Sequence, residues 1–241
     1  MSQPNKVSRR NFLKVTGIAA GAAAFSGVAL PAAQAAATHA GHSGGAGSPA
    51  VPRGRMFFTN NLEFNTLSAA SERIFPKDAS GPGAKDLGVP YFIDNQLAGG
   101  WGYNAWLYMQ GPYAPGAPTQ GYQTALLRRD LFRQGLLALN TESNRRYKKN
   151  FPDLAPPQQD QILKLCEAGQ IATEGFTSKF FFGEFKSAVL AGVYADPIYG
   201  GNNNMDGWRL KDYPGAQMSY AYMIEDEGFE KIDPMSLADM Q

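Results

Sequence analysis

The chain has 241 residues, 18% of them charged and 44% hydrophobic, with 22 Lys and Arg against 21 Asp and Glu and a formal charge of +1. That balance excludes a typical nucleic-acid-binding domain, which shows a basic face or stripe. A single cysteine, Cys166, excludes an internal disulfide and a cysteine-ligated cluster.

The first element in chain order is a leader. Ser8, Arg9, Arg10, Asn11, Phe12, Leu13 and Lys14 place paired guanidinium groups before the mildly apolar run Val15 to Leu30, the order of a twin-arginine export signal. The run is rich in Ala and Gly and ends at Pro31, short of the roughly 20 residues a bilayer span needs, so it is the core of a signal and not an anchor. Ala33 and Ala35 frame a small-x-small cleavage site, with Ala35-Ala36-Ala37 as the alternative. Removal of residues 1–35 takes away Lys6, Arg9, Arg10 and Lys14 and leaves 18 basic against 21 acidic residues, a formal charge of −3. Residues 36–56 are Gly-, Ala-, Ser- and Pro-rich without apolar periodicity and read as a flexible linker. His39 and His42 lie in it with no Cys, Asp or Glu nearby to complete a metal shell.

A mostly α, single compact domain of about five helices is expected over residues 57–220. Thr59 or Asn60 caps a first helix in which Leu62, Leu67, Ala70 and Ile74 recur at helical spacing, and Pro76 closes it. A second helix is expected over about Asp86 to Leu97, with Val89, Phe92, Ile93 and Leu97 on one face. A Gly- and aromatic-rich connection leads to the longest helix, about Tyr122 to Tyr147, which carries Leu126, Leu127, Leu131, Leu136, Leu137 and Leu139. Pro156 and Pro157 start the next, with Ile162, Leu163, Leu165 and Cys166 as its apolar stripe; Cys166 reads there as a buried thiol. The last helix, about Thr177 to Val193, opens on Phe180, Phe181 and Phe182. No run alternates convincingly with the period of a strand. Residues 221–241 form an acidic C-terminal tail.

Familiar catalytic arrangements are missing. Both histidines of the chain precede residue 43, so a Ser-His-Asp or Cys-His group cannot form within the domain. The stretch "LAGGWGYN" has glycines without the spacing or the strand of a dinucleotide loop and reads as a turn with packed aromatics. Glu63, Glu72 and Asp78 stand where helix caps and solvated faces need charge. Residues 195–216, "ADPIYGGNNNMDGWRLKDYPGA", predict a long ordered loop: Gly and Asn permit positive φ, Pro197 and Pro214 stiffen it, and Tyr199, Trp208 and Tyr213 offer large rigid surfaces. Such a loop either covers the domain's own core or binds a partner.

Three stretches in fixed order, "SERIFPKDASGPGAKDLGVPYFIDNQL", "GPYAPGAPTQGY" and "YADPIYGGNNNMDGWRLKDYPGA", resemble the gluconate 2-dehydrogenase subunit 3 family from about Phe57 to Ala216. The resemblance implies the small subunit of a periplasm-facing complex, associated with the inner membrane, that oxidises sugars or sugar acids. It implies FAD in a large partner subunit, haem c in a multihaem cytochrome c subunit, and no cofactor, catalytic residue or membrane span in the processed chain itself. It also implies that this subunit supports folding and twin-arginine export of a flavoprotein lacking its own signal, with the twin-arginine translocase as a further partner. Tyr199, Trp208 and Tyr213 are then the candidate partner contacts. Related small subunits can hold a disulfide, from which the lone Cys166 departs. Two other classes stay open beside this: a free-standing periplasmic oxidoreductase, and a small-molecule-binding module with a pocket lined by Trp101, Tyr103, Trp106 and Trp208.

Overall fold

A computed structural model describes residues 54–114, 116–117, 119–224, 228 and 230–240. The export-signal residues Ser8, Arg9, Arg10, Phe12, Leu13 and Lys14 and the cleavage residues Ala33 and Ala35 lie outside the described residues, as do His39 and His42. Among the described residues there are five helices of ten residues or more, α1 (Asn61–Ile74), α2 (Val89–Ala98), α3 (Arg128–Tyr147), α4 (Pro156–Glu167) and α5 (Ser178–Tyr194). A single helical turn, α6 (Asp206–Arg209), and short 3-10 turns complete them. There is no strand among these residues, only two isolated bridges, so the domain is mostly α. No helix of the described residues is long and apolar enough to cross a membrane.

Local chemistry fixes the helix starts. The Asn60 side chain accepts the Leu62 N–H at 2.8 Å and the Thr177 hydroxyl accepts that of Phe180 at 3.2 Å, each satisfying one orphan donor of a first turn. Pro156 and Pro157 open α4, where the missing N–H costs nothing. Two starts fall later than the apolar spacing predicts. α2 begins at Val89 and not near Asp86, because Gly88 sits at φ +76° and breaks the run. Ala84–Gly88 form a tight turn instead, with Leu87 N–H donating to Gly83 O at 3.0 Å and Val89 N–H to Ala84 O at 3.0 Å. α3 begins at Arg128 and not Tyr122, because Leu127 is extended and the residues before it close a loop described below.

α5 is the hub of the core, in contact with α1, α2, α3 and α4. Its Phe181 and Phe185 stack at 5.7 Å, and Phe132 of α3 meets them edge-on at 5.8 and 6.3 Å. The approach of α3 to α5 depends on Gly135, where an added Cβ would fall 2.3 Å from the Phe181 ring. Gly135→Ala is expected to destabilise the chain by about 1–3 kcal/mol through overpacking, despite the roughly 1 kcal/mol that alanine gains in helix propensity. A raised urea midpoint would show that Phe181 can move aside and would sink this prediction. Of the expected stripes, Leu62 of α1 and Leu137 of α3 face solvent, while Phe64 is buried in Leu62's place and Leu136 and Leu139 are buried beside Leu137.

Polar side chains tie the elements where the core narrows. Asn140 of α3, 6% exposed, donates to the Thr66 hydroxyl at 2.7 Å and accepts the Phe151 N–H at 2.9 Å, joining α1, α3 and the turn Phe151–Asp153. Arg73 and Asp160 form a two-point pair of α1 with α4 at 2.7 and 3.0 Å. Asp94 of α2 is fully buried. Its carboxylate accepts the Phe58 N–H at 2.8 Å, the Phe57 N–H at 3.2 Å and the Met56 N–H, so residues 56–58 are strapped across the domain with Phe57 and Phe58 in the core.

Candidate functional site

Two long connections carry most of the exposed aromatic side chains, and they are built differently. The first, residues 195–216, is folded onto the C-terminal end of α5 by its asparagines. Asn202 donates to Ala195 O at 2.9 Å and accepts the Gly207 N–H at 2.7 Å; Asn203 donates to Asp86 O at 2.6 Å. Asn202, Asn204 and Met205 all stand at positive φ, which Asn tolerates best. Asp196 ties in the end of the chain: it accepts the Ser236 hydroxyl and the Leu237 N–H, both at 2.8 Å. Met235 pairs with Gly215, so part of the C-terminal tail lies against this loop.

The three residues expected to meet a partner separate here. Trp208 is 5% exposed. Its indole donates to Tyr194 O at 2.8 Å, its ring meets Tyr213 edge-on at 5.5 Å, and the Gly215 backbone lies against it so closely that a Cβ would fall 2.6 Å away. Trp208 therefore covers the core and offers little surface. Tyr199 and Tyr213 are about half exposed. Tyr213, with Tyr194, Trp208, Lys211, Asp212 and Pro214, lines an open groove of about 530 Å³.

The second connection, residues 99–127, is closed at its base and open at its tip. Asn104, 2% exposed and at φ +53°, donates to Leu126 O at 3.4 Å and accepts both the Arg128 N–H and its guanidinium at 3.3 Å. Tyr122 donates to Leu126 O at 2.7 Å, and burial pushes its phenol up to about 12, so it remains a donor at neutral pH. The Arg128 guanidinium lies over the Trp101 and Tyr122 rings at 5.1 and 4.7 Å and pairs with Glu184 at 3.1 Å. This clamp uses residues 122–127 for loop closure, which is why α3 starts late.

Trp101 packs edge-on against Phe132 at 5.5 Å, Tyr103 lies under the Arg129 guanidinium at 4.2 Å, and Trp208 packs in the other connection. Trp101 and Tyr103 thus have separate neighbours in the second connection, and Trp208 lies in the first. Among the described residues no group of three or more His, Cys, Asp or Glu side chains is placed to hold a metal. Cys166 is buried and free; its thiol donates to Ser178 O at 3.3 Å, and desolvation pushes it up to about 12, so it is an inert packing residue.

Comparison with known proteins adds what geometry alone does not. Residues 61–215 match the family model of gluconate 2-dehydrogenase subunit 3, which is more than half of the chain. The chain belongs to the gluconate 2-dehydrogenase subunit 3 family. No curated protein and no solved structure matches it. The matched region opens on the first residue of α1 and closes on Gly215, the residue paired with Met235. The connection 99–127 and all but the last residue of 195–216 fall within it, whereas the strap at residues 56–58 and the returning segment at 235–237 lie outside it. The Asp94 anchor was missed from sequence. Its signal was an acid between Ile93 and Leu97 on an otherwise apolar face of α2.

Proposed function

We propose that this chain is the accessory small subunit of a periplasmic, FAD-dependent gluconate 2-dehydrogenase-type complex, acting by binding and not by chemistry of its own. In this role it supports folding of the flavoprotein subunit in the cytoplasm, where FAD is loaded. It then carries that partner through the twin-arginine translocase on the signal at Arg9 and Arg10. A multihaem cytochrome c subunit takes the electrons, and the complex resides at the periplasmic face of the inner membrane. The observation that carries this reading is the family match over residues 61–215, because the family is by name a subunit of a dehydrogenase. The twin-arginine pattern in the same chain supports the export role, since that route serves proteins that leave the cytoplasm folded. The rings of Trp101 and Tyr103, occupied by Phe132, Arg128 and Arg129, support placing the flavin in the partner.

Arg9→Lys together with Arg10→Lys is expected to leave this chain and the flavoprotein in the cytoplasm, because recognition reads the guanidinium pair and an ammonium presents different geometry. Fractionation followed by gluconate-dependent dye reduction in the periplasmic and membrane fractions measures it. Undiminished activity there overturns shared export. A flavin absorbance band at near-stoichiometric level in this chain expressed alone overturns the accessory role itself.

A further inference from the structure

From Asn95 to Leu127 the sequence contains no Asp, Glu, Lys, Arg or His, although charged residues make up 18% of the chain. Within this uncharged stretch the loop tip exposes Trp106 at 79% and Tyr108 at 81%, with Leu107 and Tyr113 partly exposed beside them. Among the described residues neither the Trp106 indole N–H nor the Tyr108 hydroxyl meets a protein partner. The loop beneath the tip is nonetheless built, not slack. The clamp of Asn104, Tyr122 and Arg128 closes its base, Arg129 N–H donates to Gly102 O at 3.1 Å, and Gly102 lies so close to α2 that a Cβ would fall 2.0 Å from Leu97 O. The Trp106 ring rests over Gly100, where a Cβ would fall 2.9 Å from it. Large aromatic side chains held in place lose little freedom on binding and carry much of the energy of protein interfaces.

We infer that this loop tip, through Trp106 and Tyr108, is the surface by which the chain docks on its flavoprotein partner, into an uncharged apolar groove with hydrogen-bond acceptors at its rim. The inference rests on the proposed subunit role and names the surface that serves it. Neutrality decides the kind of partner. A charged partner face would be desolvated here without compensation. A lipid surface is recognised by aromatic residues together with exposed Lys or Arg, and the loop has none. The cations that follow the loop in sequence are engaged elsewhere: Arg128 pairs with Glu184 at 3.1 Å, and Arg129 lies over Tyr103 and Phe57 at 4.2 and 5.0 Å.

The test co-expresses the tagged chain with the flavoprotein subunit of its complex and measures flavin recovered with the tag. The double change Trp106→Ala and Tyr108→Ala is expected to lower that recovery at least 10-fold while leaving the urea midpoint of the chain unchanged, since both side chains stand in water. Trp106→Phe with Tyr108→Phe keeps the rings and removes both donors, and is expected to recover an amount of flavin between that of the wild-type and the alanine chains. Equal recovery with the wild-type and alanine chains overturns the docking surface and leaves the subunit role intact. No recovery even with the wild-type chain defeats the subunit role, and the docking surface with it. Sedimentation with vesicles of phosphatidylcholine and phosphatidylglycerol, lost in the alanine double variant, would assign the tip to a lipid surface and also overturn the inference.

Discussion

Trp208→Ala is expected to destabilise the chain by about 3–5 kcal/mol, the range for removal of a buried aromatic ring. The indole fills the space between Tyr194, Tyr213 and the Gly215 backbone, and its N–H satisfies the carbonyl of Tyr194 at the C-terminal end of α5. Alanine leaves a cavity and an unpaired buried acceptor together. Because Gly207 packs on α5 so tightly that a Cβ would fall 2.1 Å from Val193 O, the loop backbone cannot collapse inward to fill the hole. Urea unfolding followed by circular dichroism reads the loss. Tyr199→Ala and Tyr213→Ala, at half-exposed positions, are expected to shift the midpoint far less. A midpoint for Trp208→Ala equal to theirs would mean that the loop is held without the ring. Where the expected loss is seen, failure of partner binding in Trp208→Ala needs no interface contact by Trp208, since the same substitution loosens everything attached to the end of α5.

The contrast between the two connections marks where sequence is informative about this domain. Caps and breakers are local, so α1, α4 and α5 were legible from Asn60, Pro156 with Pro157, and Thr177, and the mostly helical class followed from the spacing of apolar residues. The start of α3 was not legible, because what unwinds residues 122–127 is Asn104, bonded to Leu126 across 22 positions and invisible to any periodicity window. Leu126 and Leu127 continue the apolar pattern of the helix, yet their carbonyl and extended backbone serve the loop. Burial of Trp208 and exposure of Trp106 were equally hidden. Both sit in Gly-rich aromatic stretches of similar composition, and the hydrogen bonds of Asn202, Asn203 and the Trp208 indole fold one of them inward. Family resemblance located both connections without saying which faces outward.

Asp94→Asn is expected to release the strap at residues 56–58 and destabilise the chain by about 2–3 kcal/mol, the magnitude for a buried hydrogen bond to a charged acceptor. The carboxylate presents two acceptor oxygens to three backbone N–H groups. An amide keeps one oxygen and turns an NH2 group toward a donor, so at least one N–H is left facing another donor. With the side chain fully buried, water cannot replace the missing acceptor without opening the packing of Phe57 and Phe58. The strap also supports the face below the aromatic tip: Phe57 lies under the guanidinium groups of Arg129 and Arg133 at 5.0 and 4.7 Å, and Arg129 covers Tyr103 at 4.2 Å. Loosening should therefore spread from residues 56–58 toward Tyr103 and leave the contact of α4 with α5 untouched. Hydrogen exchange resolves this pattern, with faster exchange of the Phe57 and Phe58 amides in the variant and unchanged protection at Ile162 and Leu163. Uniform protection across both regions would show that main-chain packing, and not the Asp94 carboxylate, holds the strap to the domain.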